Sequence, residues 1–219
     1  MKKYQIVLAV TGSVIVLLWI IGRATNMLQY FSVPTSSNRP TFKTGSHFFA
    51  SNLITPKRFD FICYRMTDPN EGAQIWFHRI CGMPGDTLEI RQGDLFINGI
   101  NQDRAFNLKK MYTMPKQVAA YLDFDEEESM WKVNDSITAA VETIKQSAII
   151  QQAKRFLGSS EVVPEIKKLY GHEWTANNFG PYVVPANAYF VMGDNRELSQ
   201  DSRYTGPVDK SRYVATVIK

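Results

Sequence analysis

Apolar residues along the chain recur at three different spacings, and each predicts a different kind of element. The first is an uninterrupted run. Lys2 and Lys3 precede residues 4–21, which carry no charged side chain. A helix of that length just crosses a bilayer core, which needs roughly 17–25 residues. A cleaved signal sequence is the competing reading. Its apolar core usually spans only ~7–15 residues, and Gly22-Arg23-Ala24-Thr25-Asn26 offers a poor small-x-small cleavage site. Positive charge is heavier before the run than after it, where Arg23 stands alone. The positive-inside rule therefore makes residues 1–24 a cytoplasmic tip and a single-pass anchor in the cell membrane, with the rest of the chain extracytoplasmic.

Beyond the anchor the spacing shortens to two. Residues 47–51, 59–64 and 73–81 read as strands, with Asp68 to Gly72 as a turn. Alternation in the third strand puts His78 and Ile80 on one face and Phe77 and Arg79 on the other. The turn from Gly82 to Asp86 ends it, and residues 87–91 and 95–98 around Gln92-Gly93-Asp94 read as a hairpin. The stretch 31–45 is rich in hydroxyls, as a linker would be. Phe31, Val33 and Phe42 argue instead for a loop packed on the domain, with Phe31 and Phe48 among the apolar residues turned toward the membrane.

From about residue 115 the spacing becomes helical. Ser136 is placed to cap a helix running to residue 157, with Ile137, Val141, Ile144, Ala148 and Ile149 as its apolar face and Gly158 as its stop. A shorter helix is expected within 159–170, and the acids of 123–128 read as a solvated patch. The organisation expected is mainly β: a β-rich domain in two parts, 25–114 and 174–219, interrupted by a mostly helical insertion, 115–173. Residues 188–192 form a short apolar run that reads as a buried strand.

Composition changes this picture little. Aromatics at 12%, with 13 glycines and 10 prolines, suit a strand-rich and turn-rich fold. The net charge of +4 comes without a basic stripe interleaved with aromatics, so nucleic acid is not an expected partner. Cys63 and Cys81 lack metal-ligand spacing, and no metal or cofactor is implied. Both lie in apolar runs, which favours two buried thiols; one disulfide stays open if the strands adjoin.

Candidate chemistry concentrates after the strand 188–192. Glycine and asparagine break it into a loop carrying Asp194, Arg196, Glu197, Ser199, Asp201, Ser202 and Arg203 before Gly206. Charges this dense beside a buried strand must pair or reach solvent, so a salt-bridged structural loop is one reading. Four separated segments together give another. These are Ser37-Asn38-Arg39-Pro40-Thr41 with Pro34 ahead of it, Pro56-Lys57-Arg58-Phe59-Asp60, His78 through Asp86 followed by Ile97-Asn98-Gly99, and Gly193 through Gly206. In order and spacing, behind an anchor, they resemble the boxes of the type I signal peptidase family, membrane-anchored serine endopeptidases on a β-rich fold. The resemblance covers roughly residues 4–99 and 174–219.

The resemblance implies a role for each residue. Ser37 is the expected nucleophile, with Ser36 as its rival should the loop register shift. His78 stands at the position of the catalytic lysine. A lysine must have its pKa depressed to act as base, whereas histidine, at about 6.5, needs no such shift. By the same resemblance Asp201 orients His78, Ser199 places a hydroxyl beside the base, and Thr35 helps the Ser37 N–H form an oxyanion hole. Asp194, Arg196 and Arg203 are expected to be structural ion pairs. Asn38 replaces a methionine and is expected to alter a contact near the substrate. His47 and His172 read as surface or packed histidines.

The implied activity is removal of signal peptides from exported preproteins at the outer face of the membrane. The alternative is an inactive relative, its lysine lost, serving as a binding or accessory subunit. A self-cleaving repressor has related serine chemistry. It is disfavoured because a membrane span, and no DNA-binding helix pair, precedes the nucleophile segment.

Overall fold

A computed structural model of the chain describes residues 3–25, 27–68, 72–122, 131–133, 135–158 and 161–218. Lys2, the centre of the 68–72 turn and the acidic patch 123–128 lie outside the described residues. The apolar run forms α1 (Lys3–Ala24), which is long and apolar enough to cross a membrane and buries none of that span against the rest of the chain.

Eight strands follow: β1 (Gln29–Ser32), β2 (His47–Ser51), β3 (Phe61–Asp68), β4 (Gly72–Gly82), β5 (Thr87–Arg91), β6 (Asp94–Ile97), β7 (Ile100–Asn101) and β8 (Lys109–Pro115). After the short α2 (Lys116–Ala119) come β9 (Trp131–Val133) and β10 (Ser136–Glu142), then α3 (Ser147–Ile150), β11 (Lys154–Arg155) and α4 (Pro164–Tyr170). The chain closes with β12 (Phe179–Val183), β13 (Ala188–Met192), α5 (Ser202–Thr205), β14 (Val208–Asp209) and β15 (Tyr213–Val217).

These strands form three antiparallel sheets. The largest runs β1-β2-β15-β3-β4-β13-β14, the second β11-β8-β10-β9 and the third β12-β5-β6-β7. At the heart of the first is the β3–β4 hairpin, whose register sets Ile62 opposite His78, Cys63 opposite Phe77 and Tyr64 opposite Trp76. Alternation then sorts the side chains as the sequence implied. Phe77 joins Val33, Phe48, Phe61 and Cys63 in one apolar cluster, while Ile80 joins Ile62, Tyr64, Tyr189 and Val191 in another. Cys81 packs in a third cluster under the β12-β5-β6-β7 sheet, and both cysteines are free and buried.

The long helix expected over 136–157 is not formed. Ser136–Glu142 is the strand β10, bonded to β8 on one side and β9 on the other, and only the single turn α3 is helical. Residues 137 and 141 share a face at either spacing, so these two positions cannot separate helix from strand. Ala139, between them, joins Ile137 and Val141 in the same cluster with Tyr112 and Met114, which is the spacing of two. The Thr138 and Thr113 hydroxyls bond each other across the pair at 2.7 Å, and β-branched Ile137, Thr138 and Val141 suit a strand with waiting partners. The shorter helix is present as α4. The segment expected to be a helical insertion thus contributes mainly to a small sheet, whose first strand begins at Lys109, ahead of the boundary expected at 115.

This second sheet is tied to the loop that follows β13. The Lys109 N–H donates to the Asp194 carbonyl (2.9 Å), and the Arg196 N–H donates to the Lys109 carbonyl (3.0 Å). Farther along, the guanidinium of Arg155 pairs with Glu197.

The segment between α1 and β2 is packed rather than slack. Phe42 meets Phe48, Phe61 and Phe77 at ring separations of 5.4, 4.9 and 5.4 Å. The apolar residues turned outward beside α1 are not those expected. Phe48 points into the core at 7% exposure, whereas Tyr30 and Phe49 are 53% and 50% exposed. A one-residue offset in an alternating strand exchanges the faces. Replacing Phe48 by alanine should therefore cost about 3–5 kcal/mol, and replacing Phe49 no more than about 0.5 kcal/mol, in urea unfolding of the detergent-solubilised chain. Equal losses would mean that β2 is out of register.

Candidate active site

Three segments meet at a cleft of about 490 Å³: Thr35 and Ser37 from the loop after β1, Trp76 and His78 from β4, and Leu198 and Gln200 from the loop after β13. Backbone contacts fix the first of these. The Ser37 carbonyl accepts from the Asn195 N–H (3.0 Å), and the Ser36 carbonyl accepts from the Asn195 side-chain amide (3.2 Å). Ser37 therefore opens onto the cleft and Ser36 does not line it. The Ser37 and Thr35 hydroxyls lie 2.9 Å apart.

His78 is buried, at 4% exposure. Its Nε2 faces the Ser199 hydroxyl at 3.3 Å, and its Nδ1 faces the Tyr64 hydroxyl at 2.8 Å. Gly193 sits where Ser199 and the loop carrying Ser37 converge. A Cβ built on it would lie 2.3 Å from Ser199 Oγ and 2.4 Å from the Ser37 carbonyl oxygen. Only a residue without a side chain fits between them.

The charges of the late loop are paired. Asp194 receives Arg79 Nε (2.8 Å) and Nη2 (2.5 Å) and the Thr41 hydroxyl. Arg196 and Lys110 share Asp103, each at 2.7 Å. Asp201 does not reach the imidazole by hydrogen bond. Its Oδ1 accepts from the Arg203 N–H and Nε, and its Oδ2 from the Gly193 N–H and Arg203 Nη2. A guanidinium two residues away offers a planar fork and a fixed charge, and Asp201 also caps α5. Tyr64 takes the place behind His78 that the sequence had given to Asp201.

Burial would raise the Asp201 pKa, but the charge and hydrogen bonds of Arg203 outweigh it and hold the carboxyl below its ordinary range. It stays ionised and acts on His78 through its charge. For His78 itself burial wins. Desolvation lowers its pKa to about 4, against a smaller upward pull from Asp201. The imidazole is neutral at pH 7 and keeps one ring nitrogen free to accept a proton.

The whole of this arrangement lies within a stretch that matches one family model. Residues 5–218 match the model for "Signal peptidase, peptidase S26". The chain belongs to the signal peptidase family. Among curated relatives, signal peptidase I of Buchnera aphidicola subsp. Baizongia pistaciae is 25% identical over 99% of this chain and 77% of its own length. Signal peptidase IB of Staphylococcus aureus is 25% identical over 92% of this chain and 81% of its own length. A crystal structure of a signal peptidase I from Enterococcus faecalis matches 75% of this chain and 98% of its own, at 23% identity and a TM-score of 0.37. Members of the signal peptidase family are serine endopeptidases.

Within this family frame some residues have other surroundings than the sequence suggested. Asn38 does not line the cleft. It is fully buried, and its amide donates to the Phe77 carbonyl at 2.7 Å, tying the residue after Ser37 to the residue before His78. His47 and His172, by contrast, are the surface or packed histidines expected, stacked on Tyr30 (5.1 Å between rings) and Trp174 (4.4 Å). Among the described residues no cluster of His, Cys, Asp and Glu has the makings of a metal site. Tyr64 was overlooked, although a hairpin turning at residues 68–72 pairs positions 62 and 78 and leaves Tyr64 on the same face, one step along.

Two outcomes test this geometry. His78 is expected to titrate near 6.5 when unfolded and near 4 when folded. Between those values the unfolded chain binds the extra proton. Stability should then be full above pH 6.5 and fall as pH drops toward 4, by on the order of 3 kcal/mol. A pH series of urea unfolding should show this segment in wild type and lack it in His78→Gln; identical curves would contradict the burial. Gly193→Ala should lower the unfolding midpoint and abolish cleavage together, whereas retention of both would mean that Ser199 and Ser37 do not meet there.

Proposed function

We propose that this chain is a membrane-anchored serine endopeptidase that removes signal peptides from exported preproteins, with Ser37 as nucleophile and His78 as general base. The observation that carries the reading is the opening of the Ser37 hydroxyl and a neutral, buried His78 onto one cleft, with Ser199 against Nε2. Ser37 Oγ attacks the scissile carbonyl as its proton passes to His78 Nε2, with the Ser199 hydroxyl beside the transfer. The oxyanion is received by the Ser37 N–H and the Thr35 hydroxyl; one such donor is worth about 3 kcal/mol. His78 returns the proton to the leaving amine, and water then hydrolyses the ester on Ser37 by the same base.

The expected topology has the amino terminus in the cytoplasm and the β domain outside, which holds the cleft where an exported chain emerges and raises its effective concentration. Strand β13 pairs with β4 only from Arg79 to Gly82. The preceding residues, 75–77, border the cleft, and an extended peptide adding along them would present alternate side chains to it.

The test is cleavage of a purified preprotein by the detergent-solubilised chain. Ser37→Ala and His78→Ala should each lower kcat by at least about 100-fold without loss of the folded state. Equal residual cleavage in wild type and both variants would remove the mechanism. Tight preprotein binding without cleavage in wild type would instead identify a binding or accessory subunit.

A further inference from the structure

We propose that the Tyr64 hydroxyl is the positioning group for His78, holding the ring at Nδ1 in the tautomer whose Nε2 can accept the serine proton. The inference rests on the Ser37–His78 reading and adds to it the residue that orients the base. In a serine–histidine–aspartate arrangement a carboxylate does this work, and here the nearest carboxylate has no oxygen to spare. All four hydrogen bonds to the Asp201 carboxylate come from Gly193 and Arg203.

Geometry favours Tyr64 on three counts. Its oxygen lies 2.8 Å from Nδ1, within ordinary hydrogen-bond range. It reaches that place from the neighbouring strand: Ile62 pairs with His78, so Tyr64 is the diagonal neighbour on the same face. Both rings are confined. Tyr64 is fully buried among Ile62, Ile80 and Val191, and Trp76 stands edge-on to the imidazole at 6.2 Å. Burial also pushes the phenol pKa upward, so the hydroxyl remains neutral throughout.

A neutral imidazole carries one ring proton, and its place decides the chemistry. With the proton on Nδ1, the ring donates to the Tyr64 oxygen and the Nε2 lone pair faces Ser199 and the cleft. When the Ser37 proton arrives on Nε2 the ring becomes an imidazolium, still donating from Nδ1 to Tyr64. When the leaving amine takes the Nε2 proton, the ring returns to its starting form. Tyr64 gains and loses nothing in the cycle. Asp201, ionised nearby, stabilises the cation by charge alone.

The deciding measurement is the 15N spectrum of histidine-labelled full-length chain in detergent at pH 7. The His78 signals are identified by their disappearance in His78→Gln. Wild type should show the Nδ1–H tautomer, and Tyr64→Phe, which keeps the ring and loses only the oxygen, should shift it toward Nε2–H. In parallel, kcat on a preprotein should fall on the order of 10–100-fold, by analogy with the loss when the hydrogen-bond partner of a metal-bound histidine is removed, with KM little changed. A ring proton on Nε2 in wild type, with the phenol donating into Nδ1, would overturn the proposal. So would an unchanged tautomer and kcat in Tyr64→Phe. The wild-type spectrum alone decides if that variant fails to fold. Full activity in His78→Ala would sink the base assignment instead, leaving the tautomer reading to stand or fall by itself.

Discussion

Neighbouring residues of a strand point to opposite faces, and the site depends on what that rule does to His78 and Arg79. Arg79 points away from the imidazole and is locked in a buried two-point pair with Asp194. Fixing Arg79 fixes the backbone that carries His78. It also draws the loop after β13 against β4, which brings Ser199 to Nε2 and the Asn195 N–H to the Ser37 carbonyl. One buried ion pair thus sets three segments distant in sequence. Buried pairs of this kind add little net stability over apolar packing. What this one supplies is a single arrangement.

The same pairing shapes the electrostatics. Asp194, Asp103 and Asp201 each face a guanidinium, so the neighbourhood of His78 holds strong charges already neutralised at contact. The imidazole therefore responds mainly to the loss of water, which is why its proton affinity falls despite a nearby carboxylate. A lysine at this place would need the same desolvation to act at neutral pH. Histidine arrives already suited, and the burial carries it further than the chemistry requires.

Much of this was legible from residue order. The hairpin strands, the faces of His78 and Arg79, the packing of the 31–45 segment and the buried strand before Gly193 all follow from alternation and turn chemistry. Alternation failed where positions coincide at both spacings, as Ile137 and Val141 do, because only the partner strands β8 and β9 decide between helix and strand there. At β2 the expectation named the wrong neighbour, since Phe48 faces the core and Phe49 is the exposed ring. The partner of the imidazole was misassigned for a different reason. Asp201 is a carboxylate in the right loop, but Arg203 lies two residues away and claims it, and a list of residue types does not rank competing contacts. Asn38 was expected to alter a contact near the substrate because it stands where the resembled family has methionine. Its amide turns inward to Phe77 instead.

The bonds between Lys109 and the loop at Asp194 and Arg196 give the small sheet a standing beyond decoration. They join the first residue of one of its strands to the loop that carries Ser199 through an isolated parallel bridge at Asn195. Cutting the sheet away would strip this loop of backbone partners on one side and leave the Asp194 carbonyl and the Arg196 N–H without their mates. The end of the sheet at Lys109 is therefore bound to the loop that carries Ser199, and changes of length there would disturb both.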